Sequence, residues 1–164
     1  MEPITTQPPT VQTQPVTYAG FWKRFIAYII DQLIMSVVCF VVFIPVLGLL
    51  GLGALADVQL DESLGFLFAL ISAYATAIFL IIIAEWLYFA LMESKKGATL
   101  GKMALSVKVT DMNGNQISFA KATGRYFGKI VSGLILYIGF IMAGFTQQKQ
   151  ALHDIMAGTL VVNK

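Results

Sequence analysis

The sequence has little charge, one cysteine and one histidine. Of its 164 residues, 12% are Asp, Glu, Lys or Arg, about half the roughly 25% of a soluble domain. One cysteine, Cys39, excludes an internal disulfide, and no Cys/His spacing suits a metal. Cys39 lies in an apolar run, without the electropositive surroundings of a reactive thiol, and reads as a small hydrophobe. His153 stands beside Asp154, but sequence neighbours do not face each other in a helix or strand, and no nucleophile context accompanies them. The chain is therefore not expected to be an enzyme or to carry a metal or cofactor. The segment 1–17 has five Thr, four Pro, three Gln and no cation. It lacks the basic and apolar regions of a signal peptide and reads as a disordered arm.

What the sequence has is apolar mass. Hydrophobic residues make up 57%, and the mean hydropathy is +0.77. A soluble chain of this size has too little interior to hide that surface. A bilayer is the expected partner and an integral membrane protein the expected class.

Leu33 to Ala56 contains 24 residues without a charge, and Phe25–Ile30 extends the run toward the N-terminus. A span needs about 20 apolar residues, which predicts a first transmembrane helix over about 22–48. Pro45 and the glycines 48, 51 and 53 would kink or end it. Ser63 to Ala84 gives 22 further uncharged residues. With Glu85 and the interfacial Trp86 and Tyr88 it predicts a second helix over about 63–92. Gly65, Ala69, Ala73 and Ala77 recur every fourth residue along it. That spacing lets another helix approach closely.

Between these helices Asp57, Asp61 and Glu62 form a loop without cations. After them the section 93–129 holds seven Lys or Arg against Glu93 and Asp111. By the positive-inside rule this section is cytoplasmic, and Lys23 and Arg24 put the N-terminus on the same side of the cell membrane. Leu105–Thr110 alternates apolar and polar residues as a strand does, and Asn113-Gly114 follows as a turn. Ser118 can cap a helix starting at Phe119. Lys121, Arg125 and Lys129 are spaced by four along it, which predicts an amphipathic helix in the interface with these cations on anionic lipid. Nothing resembles a nucleic-acid platform: the cations lack interleaved aromatics.

The third apolar run, 130–146, has 17 residues, about 26 Å as a helix against a roughly 30 Å core. It either crosses as a short helix or enters and turns back. In the tail, 147–164, Gly158–Val162 reads as a strand whose natural partner is Leu105–Thr110. That pairing needs the tail on the cytoplasmic side. The expected fold is thus an all-α membrane protein: a small bundle of two long helices and a third short crossing or re-entrant segment, with a cytoplasmic amphipathic helix and a short β pairing.

The ionisable residues at membrane depth carry the functional signal. Asp31 follows Arg24 by seven residues, nearly the same helix face and about 10 Å along the axis. Glu85 falls at a similar depth in the second helix. A buried acid is costly unless partners or water offset it. Two readings stay open: a proton- or cation-handling site, or an Arg–Asp pair that fixes helix register. Gly97-Ala-Thr-Leu-Gly101-Lys102 only looks like a phosphate loop. It has three residues between the glycines, not four, and Met103 where Ser or Thr is required.

YAGFWKRFIAYIIDQLI, ESKKGATLGKMALSVKVTDMNG and QALHDIMAGTLVV, in that order, resemble the RDD family of multi-pass bacterial membrane proteins. The family is named for an Arg and two Asp, which fall here on Arg24, Asp31 and Asp154. Arg125 falls where many members carry an Arg. The resemblance covers about Tyr18–Val162 and implies that Asp154 belongs with Arg24 and Asp31, hence a tail on the Arg24 side. The family is mostly uncharacterised, with transport, ion exchange included, as the functional expectation. Three apolar segments enclose no pathway, so a homo-oligomer or a larger membrane complex is expected. The alternative is a non-catalytic adaptor or assembly subunit in which the charges are structural.

Overall fold

A computed structural model describes residues 16–45, 48, 49, 51, 63–135 and 138–164. Most of the Thr/Pro/Gln arm, the acidic loop 57–62 and Gly53 lie outside these residues.

The first span, α1 (Phe21–Val38), continues into a π-helical turn, Cys39–Phe43. The turn lies just ahead of Pro45, whose missing N–H cannot bond the carbonyl four residues back. Together the apolar stretch Phe21–Val42 holds 22 residues, about 33 Å and enough to cross. Its buried positions are Ala27, Asp31 and Met35, one per turn. Trp22, Phe25, Ile26, Ile29, Leu33 and Val37 face outward. Small or polar inside and large apolar outside is the reverse of a soluble helix, and follows from a surrounding solvent of acyl chains.

The second span, α2 (Ser63–Lys96), has 34 residues, about 51 Å. That exceeds the hydrocarbon thickness, so the helix runs on beyond the expected end at Met92 through Glu93, Lys95 and Lys96. Lys95 and Lys96 in its last turn suit the negative end of the helix dipole. Gly97, at φ 72°, stops it.

A short helix α3 (Leu100–Ala104) and strand β1 (Val107–Asp111) follow. Asp111 closes the next turn by accepting from the backbone N–H groups of Asn113 and Asn115 at 2.9 and 2.7 Å. Ser118 caps α4 (Phe119–Leu134), accepting from Lys121 N at 3.3 Å. Helix α5 (Ile138–Ile141) and a 3-10 turn (Met142–Gly144) are inclined at 117° to α4. Helix α6 (Leu152–Ala157) ends at left-handed Gly158, and strand β2 (Thr159–Asn163) closes the chain.

β1 and β2 pair antiparallel, from Val107 opposite Asn163 to Asp111 opposite Thr159. Thr17–Ala19 lies along β2, with Ala19 N donating to Val161 O and Asn163 N to Thr17 O, both at 2.9 Å. The start of α1, the segment after α2 and the tail therefore share one layer. Because β1 precedes α4 and β2 follows α5 and α6, the third apolar segment leaves this layer and returns to it. It is re-entrant. The layer's core is small: Ala19, Ala90, Val107, Val109, Ile117, Ala122 and Val161, flanked by Trp86 and Leu105.

Helix α4 corrects one expectation. Its buried residues are Ala122, Arg125, Tyr126, Gly128 and Ser132, and Phe119, Phe127, Ile130, Val131 and Leu134 are exposed. Only Lys121 of the three cations stays outside. A step of four residues turns the helix by about 40°, so Lys121 and Lys129 stand roughly 80° apart. Arg125 and Lys129 turn inward to carboxylates rather than outward to lipid.

Candidate functional site: a buried charge cluster

Asp154 is the hub. It sits at the third position of α6 and accepts from its own Ala151 N at 3.1 Å, which fixes the carboxylate at the helix start. Arg24 reaches across from α1 to bond Oδ2. Arg125 Nη2 forms an ion pair with Oδ1 from α4 at 2.8 Å. Arg125 Nε also lies 3.5 Å from Glu93 at the end of α2. Lys102 of α3 pairs with Glu93, and Lys129 stands 4.0 Å from it. Lys129 also sits over the Phe89 ring, 4.1 Å from its centre. Thus α1, α2, α3, α4 and α6 are tied together through two carboxylates. Arg24, Lys102, Arg125 and Lys129 against Glu93 and Asp154 leave the cluster with two excess positive charges.

Close backbone approach makes room for it. At Gly128 an added Cβ would lie 2.9 Å from His153 Cβ, so α6 can seat against α4 only because that position is Gly. At Gly139 an added Cβ would meet Ser132 Cβ at 2.7 Å, so the bend after α4 can close this tightly only with Gly there.

Burial and charge oppose each other here. Burial pushes the Asp154 carboxyl up, but the Arg125 and Arg24 guanidinium groups outweigh it and hold it well below the usual carboxylate range. Burial lowers Lys102, and Glu93 restores part of the loss. His153 Nε2 is 3.5 Å from Asp154 Oδ1. Burial dominates over that carboxylate and lowers its imidazole to about 3, so it is neutral near pH 7.

Asp31 has a different role from the one its spacing suggests. No ion pair joins it to Arg24 among the described residues. Its carboxylate accepts from Tyr88 Oη at 2.9 Å, Thr99 Oγ1 at 2.5 Å and Gly101 N at 2.8 Å. It clamps the loop after α2 onto α1. Gly101 packs so tightly that an added Cβ would lie 2.1 Å from the Ala27 carbonyl oxygen. The glycine pair that mimicked a phosphate loop is thus a docking element: Gly97 ends α2 and Gly101 lets α3 touch α1.

Glu85 does not join the cluster. It is half-buried and lines an adjoining hollow of about 240 Å³ with Tyr28, Gln32, Tyr126 and the cluster's own Lys129. Gly65, Ala69 and Ala77 are half-buried and Ala73 exposed, on the half of α2 away from the cluster. Glu93 and Lys102 were not anticipated as site residues, since they read as ordinary charges of a cationic loop. The one sequence signal for Lys102 was its place directly after Gly101.

Beside the cluster lies a cavity of about 290 Å³, lined by Arg24, Asp31, Lys102, Arg125, Lys129 and His153 and by Phe21, Phe25, Phe89 and Phe140 among others. Its size is at the lower edge of the roughly 300–1,000 Å³ of ligand pockets. Among the described residues, no group of His, Cys, Asp and Glu is arranged to hold a metal.

Two candidate spans, a bent third apolar segment and a cluster of buried charges define a small helical membrane protein. The model of the RDD family matches residues 18–158, and the chain belongs to that family. It is 38% identical over 148 residues to the uncharacterized protein YxaI of Bacillus subtilis (strain 168), covering 89% of this chain and 97% of that one. It is 31% identical over 153 residues to the uncharacterized membrane protein YteJ of the same organism, covering 90% and 82%. No solved structure matches.

Proposed function

We propose that the protein is an ion or small-solute transporter whose working element is the Arg24–Asp154–Arg125–Glu93 cluster with Lys102 and Lys129. One observation carries this reading: four cations of the cluster, Arg24, Lys102, Arg125 and Lys129, line a cavity of about 290 Å³ whose wall also holds the Asp31 carboxylate. Buried charge is expensive unless its partners and hydrogen bonds offset the lost hydration. The surplus favours an anion as the bound species. Cation or proton exchange through Asp31 is less favoured, because three donors already occupy that carboxylate. Asp154 is the better exchange point. A cation would have to displace Arg24 from it, and that swap would couple binding to release of α6 from α1.

The positive-inside rule places the layer of N-terminus, sheet and tail in the cytoplasm, and the membrane as the cell membrane. Two spans and a re-entrant hairpin enclose no path, so transport needs a homo-oligomer, with the Gly65–Ala77 face as a contact. Flux in proteoliposomes tests the function, with pH, Na⁺ and small anions varied and wild type set against Asp154→Asn. Equal flux in both proteins removes the cluster from the mechanism. The second reading is an assembly subunit, and Asp154 favours it, being fully buried and held by two arginines. A purified protein that moves no ion but retains a partner in mild detergent would establish that alternative.

A further inference from the structure

Two opposite charges line one hollow and do not meet. Glu85 of α2 and Lys129 of α4 both belong to the wall of the space of about 240 Å³ next to the cluster. Among the described residues Glu85 has neither an ion pair nor a hydrogen bond. Lys129 makes no hydrogen bond there either. Its ammonium lies over the Phe89 ring and 4.0 Å from Glu93, a carboxylate that Lys102 and Arg125 already hold. An acid within a membrane span is costly unless something offsets it. One molecule that carries both charges would satisfy the acid and the ammonium together.

The rest of the wall narrows the kind of molecule. The hollow has the room of about eight water molecules, at roughly 30 Å³ each. That is more than a bare ion fills and less than a drug-sized ligand needs. The Glu85 charge is near enough to act on the Tyr126 hydroxyl, and the Gln32 amide of α1 also lines the space. Ile130 and Phe140 add apolar surface. A metal ion answers Glu85 but is repelled by Lys129, and an inorganic anion has the reverse difficulty. Neither gains from the apolar wall, whereas an apolar side chain does.

We infer that this hollow binds one small zwitterion, an α-amino acid with an apolar side chain. Its ammonium donates to the Glu85 carboxylate, its carboxylate accepts from Lys129 Nζ, and its side chain packs on Ile130 and Phe140. Lys129 gives up only a 4.0 Å contact with Glu93 to do so. The site goes beyond the reading of the cluster: it shares Lys129 with it and employs an acid that the cluster leaves idle.

The test is equilibrium binding of radiolabelled amino acids to the purified full chain in neutral detergent, with thermal unfolding measured alongside. The probes are L-alanine, L-leucine and L-phenylalanine. The competitors are 3-methylbutylamine and 4-methylpentanoate, which keep the leucine side chain and one charge each. L-Leucine is expected to saturate at one per chain. Each competitor should bind at least tenfold more weakly, the loss of one charge-assisted hydrogen bond. Glu85→Gln should weaken leucine at least tenfold but not the methylpentanoate, and Lys129→Gln should weaken leucine but not the amine. Gly133 also lines the hollow, and an added Cβ there meets nothing within 4 Å. Gly133→Leu therefore fills the space without touching a charge, and should abolish leucine binding with the unfolding midpoint unchanged or raised. No saturable binding of any of the three amino acids overturns the inference. So does a competitor as tight as leucine, or leucine binding unchanged in Glu85→Gln or in Gly133→Leu. Binding is read without flux, so a failure of transport leaves this site standing, and a failure of amino-acid binding leaves the cluster to the flux assay.

Discussion

Replacing Asp31 separates a clamp from an ion site. The carboxylate accepts three hydrogen bonds and is wholly buried. Asp31→Ala removes all three and strands the Thr99 hydroxyl and the Gly101 N–H. Bonds to a charged acceptor contribute roughly 1.5–3 kcal/mol each, and losses within one network do not sum fully. A total of about 4 kcal/mol is expected, roughly a thousandfold in the equilibrium for releasing the loop from α1. Asp31→Asn keeps an oxygen where Tyr88 and Gly101 donate, and the Thr99 hydroxyl can rotate to accept from the new amide. It should cost only about 1 kcal/mol. Amide hydrogen exchange across 97–104 in detergent reads both, since the Gly101 N–H reports the bond directly. Unchanged exchange in Asp31→Ala would refute the clamp. Asp31→Asn as disruptive as Asp31→Ala would show that the negative charge, rather than the set of acceptors, is what the site requires.

Further outcomes follow from the same geometry. Gly101→Ala places a methyl against the Ala27 carbonyl, which backbone cannot yield, and should cost about 3 kcal/mol in loop docking, read by the same exchange. His153 is lowered from 6.5 to about 3 in the docked tail. A released tail therefore takes up a proton that the docked one refuses, so docking of α6 is fully favoured above pH 6.5 and weakens as pH falls toward 3. At pH 5 the loss is about 2 kcal/mol. Protection across 152–157, taken relative to the intrinsic exchange rate at each pH, should fall between pH 7 and 5 in wild type, and much less in His153→Gln. Asp154 stays ionised in that window, because its carboxyl is held below the ordinary range. Finally, Val16→Cys and Asn163→Cys, each in a Cys39→Ser background, should react with an impermeant reagent from one and the same side of the membrane. Labelling from opposite sides would contradict the bonds between Thr17 and Asn163.

Local physics was open to reading. The Ser118 cap, the Asn113-Gly114 turn and the strand alternation each depend on a few neighbouring residues, and each appears within a residue or two of its expected place. The two spans follow from run length alone. The strand pairing expected from the alternation of 105–110 and the apolar run 158–162 is present, and it brings both ends of the third apolar segment to one layer.

Partner choice was not open in the same way. Arg24 and Asp31 share a helix face, yet they sit two turns apart and side chains on a helix lean the same way, so proximity on the face does not close the gap. Which donor reaches Asp31 depends on where the loop after α2 lands, and that depends on Gly101. Whether Arg125 and Lys129 meet lipid or carboxylates depends on the rotation of α4, which a pattern of four-residue steps does not fix. The amino-acid order by itself determined that the chain spans a membrane, where it turns and which residues are costly to bury. Only the tertiary structure decided which opposite charges meet, because charges act across space at a few ångströms, whereas sequence pattern records only what lies along one helix or strand.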